Sequence, residues 1–170
     1  RGMPTSEGTG AFGADFIPDV DEPMVARLRA AGAIPVGKTN VPEFGLHSAT
    51  YNERFGVTRN PWQLARTPGG SSGGSSAAVS AGLVSFATGS DGGGSIRTPA
   101  AYCGLVGLKT TTALVPRHNG RSDLSCLGYL TRTVADTARL LDVSAGAHPG
   151  DRRSVNPFGG PFETSIQAMD

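Results

Sequence analysis

The sequence predicts an α/β fold with a mixed, largely parallel sheet flanked by helices. Stretches with helical spacing of apolar residues alternate with short, continuous apolar runs, which is typical of strand–helix–strand units. The length of 170 residues suits one domain with a single core. In residues 69–97, two glycine and serine loops enclose one helix of small residues and one apolar strand. Flexible linkers lack such apolar residues, so these loops are expected to form a site.

The elements before the loops are one helix and one strand. The first predicted helix begins after Asp21, a good N-cap residue, and ends at Gly32. Pro23 suits its first turn because that position needs no amide donor. The apolar run at residues 33–36 then predicts a short strand.

The elements within and after the loops follow the same alternation. Residues 75–82 predict a helix rich in alanine, and residues 83–87 predict a buried strand. Thr133 is the expected N-cap of a last helix that runs to about Ala145. The predicted inner face of that helix consists of Val134, Ala138, Leu140 and Leu141.

Composition limits the function classes. The net charge is +1 and no basic run occurs, which argues against nucleic acid or an anionic membrane as partner. No apolar stretch approaches the roughly 20 residues of a membrane span. Cys103 and Cys126 lie in apolar settings, so reduced thiols and a cytoplasmic location are expected. Prolines and glycines in residues 156–170 predict a loop or frayed tail after a domain of residues 1–155.

Two nucleotide-binding patterns occur but lack their structural context. Residues 32–39 match G-x-x-x-x-G-K-T, yet a helix precedes the pattern and its middle residues form the predicted strand. Lys38 is therefore interpreted as a structural lysine. Residues 8–13 match G-x-G-x-x-G without a preceding strand. Neither pattern predicts a nucleotide cofactor.

A third pattern, G-x-S-x-G at residues 69–73, matches the nucleophile elbow of α/β-hydrolases. Ser71 would then be the nucleophile, with Asp123 or Asp136 and His148 completing the triad. An elbow needs a hydrophobic strand before it, but residues 62–68 are polar and end in proline. This interpretation stays open as an alternative.

A pair of serines accounts for both loops. Residues 91–94 offer consecutive backbone amides without large side chains, which suits an oxyanion beside a nucleophilic Ser95. No histidine lies close to either loop in the sequence. A second hydroxyl, that of Ser71, relaying a proton to a lysine is therefore the more economical base.

These segments resemble the amidase signature family, amide hydrolases with a Ser–cis-Ser–Lys triad. The resemblance covers about residues 2–155 and implies the central part of that fold, incomplete at both ends. It rests on residues 69–75 and 89–97 and on the flanking segments 37–40, 58–62, 99–104, 107–109 and 131–136.

The resemblance also implies roles for the loop residues. Ser95 would form the acyl-enzyme, and Ser71, on a cis peptide after Gly70, would carry the proton. Asp91 and Arg97 flank the second loop with opposite charges and are expected to pin it. Ser72 would hold the lysine amine. The expected oxyanion donors are the backbone amides of Gly92, Gly93, Gly94 and Ser95.

The expected triad lysine is missing from the sequence. In the family it precedes a Gly-x-Pro-Thr turn, which here is residues 2–5, so the matching position falls before Arg1. Lys38 belongs to a Gly-Lys-Thr-Asn segment that the family carries in addition to this lysine. Gly92 is a further departure, because many members have threonine or isoleucine there. The chain alone is therefore expected to hydrolyse amides poorly.

The main functional prediction is hydrolysis of small carboxylic amides to acid and ammonia through acyl-Ser95. The alternatives are the A component of a glutamine-dependent tRNA amidotransferase, a hydrolase using Ser71, and a non-catalytic fragment. No metal or other cofactor is expected. A homodimer is one candidate assembly.

Overall fold

A computed structural model describes residues 1–11, 17–118 and 124–168, which form a mixed α/β domain. The helices are α1 (Pro23–Ala30), α2 (Gly73–Ser80), α3 (Arg97–Cys103), α4 (Val134–Ser144) and α5 (Phe162–Gln167), with a short 3-10 helix at Glu43–Gly45. The strands are β1 (Tyr51–Asn52), β2 (Gly56–Val57), β3 (Phe86–Asp91), β4 (Val106–Leu108) and β5 (Cys126–Thr131).

The main sheet has the order β3-β5-β4, and both of its strand pairs are antiparallel. The expectation of a largely parallel sheet is therefore wrong for the described strands. β3 and β4 run in the same direction, and α3, which the sequence did not predict, connects them. They are not neighbours, however, since β5 returns from later in the chain and lies between them. β1 and β2 form a separate antiparallel pair.

Alternate residues of β5 build the core on the two faces of the sheet. Leu127 and Tyr129 pack with apolar side chains of α1 and α4. Leu130 points to the other face and packs with Ile96 and Ala100 of the α3 region. This alternation, with a period of two, buries all of β5 and makes it the centre of the fold.

The structure confirms some predicted helix ends and corrects others. The Thr133 hydroxyl accepts a hydrogen bond from the Asp136 amide, as expected for an N-cap. Asp21 is not the cap of α1, because Glu22 occupies that position and makes no side-chain cap. Val134 is exposed and not on the inner face. The Arg27 guanidinium donates to the carbonyls of residues 144–147, which closes the end of α4.

Three further predictions differ from the structure. Residues 33–36 form no strand, and Ile34 and Val36 are largely exposed. The strand expected at residues 83–87 begins later, at Phe86, and is half-buried. The tail prediction is wrong at residues 162–167, because α5 forms there. Its first amides donate to the Asp142 carboxylate at the outer side of α4.

Two expectations from composition can be compared with the structure. Cys103 and Cys126 are both buried free thiols, which agrees with the prediction of reduced cysteines. Burial raises the pKa of the Cys103 thiol. Within the described ranges, every helix is too short or too polar to cross a membrane.

Candidate active site

The first loop is buried and closely packed. Ser71 and Ser72 have exposed fractions of only 7% and 6%, just before α2 begins. The peptide bond between Gly70 and Ser71 is cis, as the resemblance implied. A Cβ atom on Gly70 would lie 2.7 Å from the backbone oxygen of His47, so only glycine fits there. The sequence around both serines thus fixes their backbone by close packing.

α2 attaches this loop to the sheet and to the segment before it. The Ser75 hydroxyl lies 2.9 Å from the Thr39 hydroxyl and donates to the Thr88 carbonyl of β3 over 2.9 Å. The Gly74 amide donates to the Asn40 carbonyl. The predicted Gly-Lys-Thr-Asn segment therefore supports α2, which explains its place beside the glycine-rich loop.

Asp91 organises the second loop. Its buried carboxylate accepts five hydrogen bonds, three from the amides of Gly94, Ile96 and Arg97 and two from the Arg97 guanidinium at 3.0 Å each. Burial opposes ionisation, but the Arg97 guanidinium and the amides outweigh it and hold the pKa of Asp91 well below its usual range. The predicted pinning of the loop by Asp91 and Arg97 agrees with these contacts.

The same contacts decide which loop amides remain available. The Gly94 amide donates to Asp91 over 2.7 Å, so Gly94 has to be removed from the predicted oxyanion donors. In the described part of the chain, the amides of Gly92, Gly93 and Ser95 have no hydrogen-bond acceptor. Gly92 and Gly93 are exposed, and Ser95 is half-buried. These three amides stay predicted donors for an incoming carbonyl oxygen.

The two loops meet directly. The Ser72 amide donates to the Ser95 carbonyl over 3.1 Å, which joins the residue after one serine to the other serine. A Cβ atom on Gly89 would lie 2.7 Å from the Ser72 Oγ, so the first loop sits closely over β3. Among the described residues, neither the Ser71 nor the Ser95 hydroxyl has a hydrogen-bond partner. Both hydroxyls are therefore open to a base or a substrate.

Sequence reasoning missed the short 3-10 helix beside Ser71. A Cβ atom on Gly45 would lie 3.5 Å from the Ser71 Oγ, and the φ of Gly45 is +69°. Glycine at this position keeps the space next to the hydroxyl free. The Phe-Gly pair at 44–45 carries no periodic signal, so only the packing identifies it.

Lys38 does not contact either serine. Its ammonium donates to the Met3 carbonyl at 3.3 Å and to the Thr5 hydroxyl, both in the turn at residues 2–5. These contacts match the structural role predicted for Lys38.

The elbow alternative gains no support from the described residues. No strand leads into Ser71, since residues 64–69 are turn or irregular. Asp136 is engaged at the α4 cap. The His148 ring lies against the His118 ring at 5.9 Å. Asp123 falls outside the described residues. In the same ranges, no group of three potential ligands could hold a metal ion.

A sequence model of the Amidase family matches residues 1–168. Among curated relatives, the A component of glutamyl-tRNA(Gln) amidotransferase from Geobacillus stearothermophilus is 54% identical over 158 residues, covering 91% of this chain and 32% of the relative. The chain thus spans about a third of the length of the curated relatives it matches. The tRNA in that name conflicts in part with the expectation that no nucleic acid takes part.

Solved structures of two kinds are similar to the chain. The A component of glutamyl-tRNA(Gln) amidotransferase from Thermotoga maritima has a TM-score of 0.83 at 42% identity, covering 92% of this chain and 35% of that one. A 6-aminohexanoate cyclic dimer hydrolase solved with its substrate has a TM-score of 0.83 at 43% identity, covering 88% and 32%. Transferase and hydrolase relatives therefore stand at comparable structural similarity.

Proposed function

The chain belongs to the amidase family, and from this premise we propose that residues 71–95 carry the acyl-transfer core of an amide hydrolase. The observation that carries this proposal is the contact between the two loops, from the Ser72 amide to the Ser95 carbonyl. This contact joins the first loop, which holds the buried Ser71, to Ser95 in the second loop. In the described residues, the amides of Gly92, Gly93 and Ser95 in that second loop are unpaired. Nucleophile, proton relay and oxyanion donors are the groups that acyl transfer requires.

In the proposed reaction, the Ser95 Oγ attacks the amide carbon while its proton passes to Ser71. The carbonyl oxygen becomes an oxyanion and accepts hydrogen bonds from the amides of Gly92, Gly93 and Ser95. Collapse of this intermediate breaks the C–N bond, and the leaving nitrogen takes up the proton as ammonia. Water then hydrolyses the acyl-Ser95 ester to the acid.

The buried carboxylate of Asp91 would keep the donors in place without touching the substrate. Because it holds Gly94, Ile96 and Arg97 at once, the loop cannot reorganise when charge develops. Donors that are already oriented lower the barrier more than donors that must turn first. We propose that the base behind Ser71 is a lysine outside these 170 residues, with Ser72 beside it.

An activated ester tests the nucleophile in the chain as it stands. p-Nitrophenyl acetate should acetylate Ser95 and release p-nitrophenolate, with the acetyl group located by peptide mass spectrometry. Ser95→Ala should abolish this labelling. In a longer chain that includes the proposed lysine, Ser71→Ala should slow amide hydrolysis by about 10²–10⁴-fold because the proton relay is lost. Ser85→Ala, which changes an exposed serine before β3, is the matched control.

Two results would overturn the proposal. Acetylation of Ser71 instead of Ser95 would support the elbow alternative, and unchanged labelling in Ser95→Ala would remove Ser95 as nucleophile. Amide turnover lost in both Ser95→Ala and Lys38→Ala would instead identify Lys38 as the base.

A second candidate function is that of the A component of a tRNA amidotransferase, favoured by the 54% identity to such proteins. A simple amidase should release ammonia from an amide without any partner. An amidotransferase component should release it from glutamine, and transfer it to glutamyl-tRNA, only when its partner proteins are added. Ammonia release measured with and without partners separates the two functions. A cytoplasmic location is proposed for either one.

A further inference from the structure

The flank of the second loop carries an arginine that the proposed mechanism does not use. β3 and β5 pair as far as Asp91 and Cys126, so Gly92 continues beside Ser125. A Cβ atom on Gly92 would lie 3.6 Å from the Ser125 Cβ. The Ser125 hydroxyl accepts a hydrogen bond from the Arg117 Nη1 over 3.2 Å. One serine side chain therefore separates this guanidinium from the first predicted oxyanion donor.

The backbone of Arg117 is held by a carboxylate, but its guanidinium forms no ion pair among the described residues. Its backbone amide donates to one oxygen of the Asp151 carboxylate over 3.1 Å, and the Arg153 amide donates to the other oxygen. The carboxylate is thus occupied by amides. Among the described residues, only the Ser125 hydroxyl accepts from the Arg117 guanidinium, and no ion pair involves Arg117. Its remaining N–H groups are free to bind an anion.

The surroundings of Arg117 leave room for such an anion. A cavity of about 30 Å³ lies here, and its lining includes Arg117, Arg153, Ser125 and Asp151. Its two arginines and one aspartate give the lining a net positive charge. That volume holds about one or two water molecules, similar to the two oxygens of a carboxylate.

We infer that Arg117 is a specificity-determining residue that binds a carboxylate on the acyl part of the substrate. The substrate class is then the monoamides of dicarboxylic acids, with the amide carbon at Ser95 and the carboxylate at the guanidinium. Arginine suits this role because its planar donors match both carboxylate oxygens. This inference rests on the proposed function only for the position of the amide.

A binding experiment tests the inference separately from turnover. In the Ser95→Ala chain, glutaramate and its neutral analogue pentanamide are titrated by ¹H–¹⁵N NMR, with the shifts of the Gly92 and Ser125 amides followed. Glutaramate should bind about tenfold more tightly, and Arg117→Gln should remove that preference. Arg152→Gln, which removes the same charge from an exposed neighbour, should keep it.

The Arg117→Lys variant distinguishes the effect of the positive charge from that of the hydrogen bond to Ser125. Lysine keeps the charge but lacks the planar pair of donors, so it should retain only part of the preference. Glutamine can still donate to Ser125 but has no charge. Equal affinity for both ligands in the parent chain would overturn the inference, as would a preference that survives in Arg117→Gln. Failure of acetylation at Ser95 would contradict the proposed function and leave this binding result unaffected.

Discussion

The two segments are both rich in glycine but lie in opposite environments. In residues 69–75 the glycines are buried, and Cβ atoms on Gly70 or Gly74 would overlap backbone atoms of residues 47 and 40. In residues 92–94, Gly93 has nothing within 4 Å of its Cβ position, and Gly92 has only ordinary contacts. Glycine in the first segment allows close packing, whereas in the second it leaves amides accessible. Composition alone does not distinguish these requirements.

The two segments should differ most in how a glycine-to-alanine substitution changes the free energy of unfolding. Gly74→Ala places Cβ 2.3 Å from the Asn40 carbonyl oxygen, and backbone there cannot move cheaply. Although alanine favours helices, we expect the free energy of unfolding to fall by about 2–3 kcal/mol. Gly93→Ala should not lower it, because nothing lies within 4 Å of its Cβ position. Urea unfolding of both variants measures the difference, and equal effects would contradict the comparison.

The second segment depends on a charge instead of on packing. Asp91→Asn should lower the free energy of unfolding by about 2–3 kcal/mol, because an amide group would face donors that now bind a carboxylate. Asp19→Asn, on an exposed aspartate, is the matched control. Equal urea midpoints for both variants would show that the carboxylate does not hold the loop.

The stability that Asp91 contributes should also depend on pH. Since the folded pKa of Asp91 lies below its unfolded value of about 3.9, the unfolded chain takes up this proton first as pH falls. The stabilisation is therefore fully present above about pH 5 and decreases as pH falls below about 4. The difference in stability between the parent chain and Asp91→Asn should shrink over that range in unfolding measurements. A constant difference would contradict the assigned ionisation.

The smallest expected effect is a gain at Gly92. Its φ lies outside the left-handed region and its Cβ would make only ordinary van der Waals contacts, so Gly92→Ala should raise the free energy of unfolding by about 0.4–1 kcal/mol. Gly94→Ala should lower it, because φ is +116° and Cβ would lie 2.9 Å from the Thr98 hydroxyl. Thermal unfolding of both variants measures these shifts. A loss of stability in Gly92→Ala would show that the loop needs glycine there for its conformation.

The site is more predictable from the sequence than the sheet. Asp91, Ser95 and Arg97 lie within seven residues, so their local pattern carries the loop's organisation. The position of β5 between β3 and β4 depends on contacts between residues far apart in the sequence, which the hydrophobic periodicity of a single segment does not predict. Gly94 is wrongly predicted as an oxyanion donor because the sequence does not show that its amide donates to the Asp91 carboxylate. Arg117 and Gly45 are not predicted because they are far from the loops in the sequence and come near them only in the folded structure.

The place of β5 in the sheet also affects synthesis of the chain. β3 ends at Asp91, but the strand that pairs with it begins at Cys126. Because a chain leaves the ribosome from its N-terminus, the loop at 91–95 emerges before the strand that supports it. Until β5 emerges, the edge of β3 that β5 later covers stays open to other strands. The pairing of Asp91 with Cys126, next to the proposed oxyanion donors, can therefore form only after residues 126–131 have been translated.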